Sequence, residues 1–237
     1  MNPLLQTLQG RLVVSCQAYP GEAMNDPGTL AQIARAVVQG GAAGVRAQGL
    51  DSIRLIAAQV TVPVIGLWKD GEDDVFITPT AAHAVAVARA GAQIVALDGT
   101  RRARPDGLTL AQTIAVLREQ SNALVMADCG SLDDALAAQD AGADILGTTL
   151  AGYSGERPMT VGPDLELVSQ VVAACTLPVM VEGRVHTPAQ ARDAMARGAF
   201  AVCVGTAITH PTTITGWFEA AVRAGSGHHA PSREATQ

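Results

Sequence analysis

The stretch VPVIGLWKDG, residues 62–71, reads as a buried strand through Pro63, Val64, Ile65 and Leu67 and then ends in the amine of Lys69. Other apolar runs finish the same way. Taken at or just past their ends, the residues are Gln17, Arg46, Lys69, Asp98, Asp128, Thr148, Glu182 and the pair Gly205-Thr206. A lysine amine in its neutral form can remove a proton or attack a carbonyl carbon. The turns VEGRVHTP (181–188) and CVGTAITHP (203–211) each carry a glycine that lets backbone N–H groups approach an anion, and Arg184 can add a charge-assisted contact. Gly183, Arg184, Gly205 and Thr206 are therefore candidate phosphate-binding positions, with Lys69 the candidate reactive group.

These residues work together only if the strand ends converge. The runs RLVVSC, AGVRA, PVIGLW, QIVALD, ALVMAD, ADILGT, PVMVEG and AFAVCVG are mostly continuous rather than alternating, the pattern of parallel strands buried on both faces. Helical segments separate them. In the first, Leu30, Ile33, Ala34, Val37 and Val38 form one apolar stripe. Asp26-Pro27, Thr78-Pro79 and Thr187-Pro188 read as helix starts, Pro163 and Pro211 as two more, and GGA, AGA, AGA and RGA as glycine-marked helix ends. Eight βα units in so short a chain predict one (β/α)8 TIM barrel of the phosphate-binding type, whose active site lies at the C-terminal ends of the strands. A doubly wound open sheet is the alternative, but no GxGxxG turn follows the first strand. The barrel is expected over residues 1–223, with 224–237, including His228 and His229, as a frayed tail.

Composition narrows the partners. The 237 residues are 48% hydrophobic, enough for a proper core, and their net charge of -6 argues against nucleic acid. No apolar run approaches a membrane span, and the first ten residues lack a secretory pattern, so a soluble cytoplasmic protein is expected. Cys16, Cys129, Cys175 and Cys203 have no metal-ligand or disulfide spacing and read as buried small hydrophobes, and no metal is expected.

VSCQA (14–18), VRAQG (45–49), GLWKD (66–70), ALDGT (96–100), ADCG (127–130), GTTLAGYS (147–154), VEGR (181–184) and VGTAIT (204–209), in this order, resemble the N-acetylmannosamine-6-phosphate 2-epimerases of sialic-acid catabolism. The resemblance runs from about residue 10 to 222. It implies a cofactor-independent isomerase that inverts C2 of a sugar phosphate, with Lys69 and Glu182 as catalytic residues. Gln17, Arg46, Asp128 and Tyr153 match positions that contact the sugar or shape the site, and Asp98 also matches. Lys69 then needs a lowered pKa and Glu182 a raised one, both attainable by burial. One position departs: AITHP puts His210 where many members have arginine, which bears on the grip on phosphate or sugar. A Schiff-base aldolase and a non-catalytic phosphosugar-binding barrel are the competing readings, and a homodimer is left open.

Overall fold

A computed structural model describes residues 2–72 and 74–226. Eight parallel strands pair in chain order: β1 (Leu12–Cys16), β2 (Gly44–Gln48), β3 (Val64–Leu67), β4 (Ile94–Asp98), β5 (Leu124–Asp128), β6 (Ile145–Gly147), β7 (Val179–Glu182) and β8 (Ala201–Val204). β8 closes on β1, with Val13 beside Cys203, so the expected barrel holds and the open sheet does not. One helix follows each of the first seven strands: α2 (Pro27–Gln39), α3 (Leu50–Ala57), α4 (Ala81–Arg89), α5 (Leu110–Gln120), α6 (Leu132–Asp140), α7 (Leu165–Ala174) and α8 (Pro188–Ala196). After β8 come the short α9 (Thr206–Thr209) and α10 (Pro211–Ser226), and α1 (Pro3–Gln6), which periodicity does not announce, precedes β1.

The period of two along each strand places the chemistry. Val13, Ile65, Leu67, Ile94, Ala96, Met126, Ile145, Met180, Ala201 and Cys203 belong to the cluster that fills the barrel. The residues between them, among them Val14, Val45, Val64, Val95, Leu97, Val125 and Leu146, pack outward against the helices. Inward positions advance two residues at a time towards the C-terminal mouth. Leu67 thus leads to Lys69, Met126 to Asp128 and Met180 to Glu182. The oily strand ends in an amine because its next inward position already lies at the mouth.

Gly66 packs against α4 and the turn after it, where an added Cβ would lie 2.8 Å from Val87 Cγ1 and 2.6 Å from the Ala92 Cβ, so only glycine lets β3 sit this close. The helix signals are mostly met. Asp26 and Thr187 cap α2 and α8, and the glycines 41, 91, 142 and 198 after four helices have positive φ. Two caps move. Thr80, not Thr78, caps α4, because Thr78 is buried with its hydroxyl bonded to Ala96 O and Trp68 N, tying the β3–α4 loop to β4. Asp164, next to Pro163, caps α7 by accepting from Leu167 N.

α10 differs from its counterparts. None of its 16 residues is buried, and Trp217, Phe218 and Val222 are 40%, 69% and 71% exposed. It continues through residues 224–226, which the sequence reading assigned to the tail; the rest of that segment, with His228 and His229, lies outside the described residues.

Candidate active site

At the strand C-termini lies a cavity of about 630 Å³, walled by Gln17, Tyr19, Arg46, Lys69, Tyr153 and Glu182 and by the turns that hold Arg184, Gly205 and His210. Lys69 follows β3 and Glu182 ends β7, two strands that stand diametrically opposite in an eight-strand barrel. Anything bound between them presents one side to the amine and the other to the carboxyl group.

Lys69 is fixed through its backbone, which bridges antiparallel to Ile77 where the β3–α4 loop folds back. Its Nζ lies 5.6 Å from the centre of the Tyr19 ring and has no carboxylate within 4.0 Å among the described residues. Burial and then the nearby Arg46 charge hold its pKa below the ordinary lysine value, against the opposing pull of Glu182 and Asp128.

Glu182 is held at both levels. The Thr148 hydroxyl donates to Glu182 O at 2.9 Å and accepts from Glu182 N at 3.1 Å, which fixes the backbone. Arg46 Nη1 donates to the carboxylate at 2.6 Å. Burial pushes the carboxyl pKa up to about 7 even so, opposed by Arg46 and supported by the Asp128 charge. Near neutrality the group can therefore carry or release a proton.

Arg46 is 1% exposed and bonds Asp128 through Nη1 at 3.0 Å and Nη2 at 2.5 Å. Burial disfavours its charge, but Asp128 and Glu182 outweigh that and keep the guanidinium cationic. The Asp128 oxygens accept from Arg46 and from Thr149 Oγ1 at 2.7 Å, so this side chain lies behind Arg46 rather than offering itself to sugar hydroxyls.

Asp98 lies outside the cavity. Its carboxylate accepts from Thr100 N and Oγ1 and from Arg102, and its carbonyl oxygen from Arg104, so it fastens the β4–α5 loop. Gln17 reaches the cavity and donates to Ser15 Oγ at 2.7 Å. Arg184 bonds Gly162 O, Ala151 O and Thr160 Oγ1 and lies 5.4 Å from the Tyr153 ring centre, pinning the β6–α7 loop. Gly183, with φ 105°, Arg184 and Gly205 present backbone N–H groups that no hydrogen bond occupies among the described residues. His210 sits at the rim with Nδ1 3.8 Å from Glu22 and its ring edge-on to Tyr19.

Reading strand ends alone missed several wall residues. Tyr19 and Phe76 lie on loops, whereas Ser15 and Cys203 lie one inward position below the mouth. The period of two would have found the last pair.

A family model described as "Putative N-acetylmannosamine-6-phosphate epimerase" matches residues 30–224. Two relatives are each described as "Putative N-acetylmannosamine-6-phosphate 2-epimerase". The one from Cutibacterium acnes is 57% identical over 222 residues, covering 93% of this chain and 97% of its own. The one from Klebsiella pneumoniae is 47% identical over 218 residues, covering 91% of each. Among solved structures, the N-acetylmannosamine-6-phosphate 2-epimerase from Clostridium perfringens matches with a TM-score of 0.89 at 34% identity, over 93% of this chain and 96% of that one. A thiamine phosphate pyrophosphorylase from Pyrococcus furiosus, at 17% identity and a TM-score of 0.61, shares the fold alone. On the family model and these relatives together, the chain belongs to the N-acetylmannosamine-6-phosphate 2-epimerase family.

Proposed function

We propose that this protein interconverts N-acetylmannosamine 6-phosphate and N-acetylglucosamine 6-phosphate by inverting C2 of the open-chain sugar. The observation that carries the mechanism is the placement of Lys69 and Glu182 on opposite walls of one cavity. Neutral Lys69 takes the C2 proton, the C–H electron pair becomes the C1=C2 bond, and the aldehyde oxygen gains negative charge beside Arg46. Protonated Glu182 then delivers its proton to the other face of C2, the C1=C2 pair forms the new C–H bond, and the aldehyde returns. Lys69 is left protonated and Glu182 ionised, which is the starting form for the reverse reaction.

The active form therefore carries one proton between the two groups. Its pH profile is a bell whose limbs belong to the pair, not to either residue alone. The free backbone N–H groups of Gly183, Arg184 and Gly205, with Thr206 next in the turn, suit the phosphate. His210 lacks the permanent charge of an arginine, so more of the anion's stabilisation falls to backbone dipoles.

Proton NMR of the protein with N-acetylmannosamine 6-phosphate tests the reaction. Growth of the N-acetylglucosamine 6-phosphate anomeric signals is expected. Tight binding without any new signal would favour a non-catalytic phosphosugar-binding barrel.

The same reading carries a cytoplasmic setting, a role in amino-sugar breakdown from sialic acid, and a second copy of the chain as partner. No helix among the described residues is long and apolar enough to cross a membrane. In the dimer, the other protomer covers the apolar side of α10, since Trp217, Phe218 and Val222 are too exposed for a helix that closes a barrel. Light scattering is expected to give about twice the 24.3 kDa chain mass. Phe218→Asp combined with Val222→Asp should lower it to one chain, and an unchanged mass would place the contact elsewhere.

A further inference from the structure

Cys203 reads from its sequence as inert filling, yet β8 sets it directly beside Glu182. The two are register partners on neighbouring parallel strands, and both project into the barrel. Side chains so paired lie on the same side of the sheet about one strand spacing apart, roughly 5 Å. Cys203 is 1% exposed and forms part of the cavity wall. That register sets its thiol against the Glu182 side chain, and no hydrogen bond to another side chain engages it among the described residues.

We propose that Cys203 is a positioning residue for Glu182, its S–H donating to the carboxyl group and fixing, with Arg46, the orientation from which Glu182 exchanges its proton with substrate. This rests on the proposed C2 epimerisation. Arg46 grips Glu182 through Nη1 while committing Nη2 to Asp128, so the ion pair alone leaves the carboxyl group free to rotate about that contact. A second donor on the adjacent strand stops the rotation. A thiol is suited to this because it donates without bringing a charge that would ionise Glu182 outright. Burial and the neighbouring carboxylate keep the thiol protonated, so it acts as a donor and not as a second base.

The test compares Cys203→Ala and Cys203→Val, which remove the donor, with Cys203→Ser, which keeps one. Circular dichroism and thermal melting check the fold of each variant. Glu182 is followed by carbon NMR titration of protein labelled at the glutamate carboxyl carbon, its signal assigned by its loss in Glu182→Gln. In the Ala and Val variants the Glu182 titration midpoint should rise by about half a pH unit, since a hydrogen bond to the ionised form is lost and a thiol is a weak donor. The pH profile of kcat should shift with it, kcat should fall about fivefold, and KM should hold. Cys203→Ser should restore both midpoint and rate.

Equal Glu182 midpoints in wild type and both donor-free variants would overturn the assignment, as would a Ser variant indistinguishable from Ala. The titration needs no turnover. If the wild-type protein left N-acetylmannosamine 6-phosphate unchanged, the reaction assigned above would fail while the Glu182 midpoints still reported on Cys203.

Discussion

Lys69→Met is expected to lower kcat by about 10²–10⁴-fold, the range associated with loss of a positioned acid–base group, with a melting temperature within about 3 °C of wild type. The two parts of this result have separate causes. The amine has no ion pair within 4.0 Å among the described residues, and its backbone is fixed through the bridge to Ile77, which the substitution leaves intact. Methionine keeps most of the apolar stem. What is lost is the group that burial and Arg46 bias towards its neutral form. A variant that turned over at the wild-type rate would remove Lys69 from the mechanism. Borohydride treatment of the wild-type protein with substrate should leave Lys69 unmodified, whereas a trapped adduct would favour the Schiff-base aldolase.

Glu182→Gln is expected to cut kcat over a similar range, about 10²–10⁴-fold, while making the protein more stable above neutral pH. The sign follows from linkage. A carboxyl group whose folded pKa rises from its ordinary 4.5 to about 7 contributes stability that is fully present below pH 4.5 and lost as the pH rises through 7. Glutamine mimics the protonated form at every pH, so the loss disappears. At about 1.4 kcal/mol per pH unit the gap between variant and wild type is at most on the order of 3 kcal/mol by pH 8, and it narrows as the pH falls and closes only below pH 4.5. Arg46 keeps its two bonds to Asp128 in the variant, so its charge is not stranded. Melting curves from pH 5 to 8 check this: a gap of several degrees that opens with pH is expected. A gap independent of pH would mean that Glu182 is ionised across the whole interval.

Much of this arrangement was legible before any coordinates. Eight apolar runs and their terminal polar residues predict a barrel because parallel strands are buried on both faces, and the barrel alone brings Lys69 and Glu182 to one mouth. The same reading faltered where a side chain's partner is distant in sequence. Asp128 looks like a sugar ligand until Arg46, 82 residues away, is seen to hold both of its oxygens. Asp98 ends its strand as Asp128 does, yet Thr100 and Arg102 turn it to the loop. Thr78-Pro79 has the form of a helix start, but the hydroxyl is claimed by Ala96 O across the loop. Trp217, Phe218 and Val222 form the kind of stripe that usually faces a core, and sequence pattern does not say whose. Cys203 reads as filling because it lies one inward position below its strand's tip, beside a residue 21 positions earlier in the chain.

The most direct measurement is proton NMR of the reaction run in deuterated water. If Lys69 and Glu182 work on opposite faces of C2, N-acetylglucosamine 6-phosphate formed from N-acetylmannosamine 6-phosphate will carry deuterium at C2, because the returned proton comes from Glu182 equilibrated with solvent. Product that keeps the original hydrogen at C2 in full would contradict two-sided proton exchange between these residues.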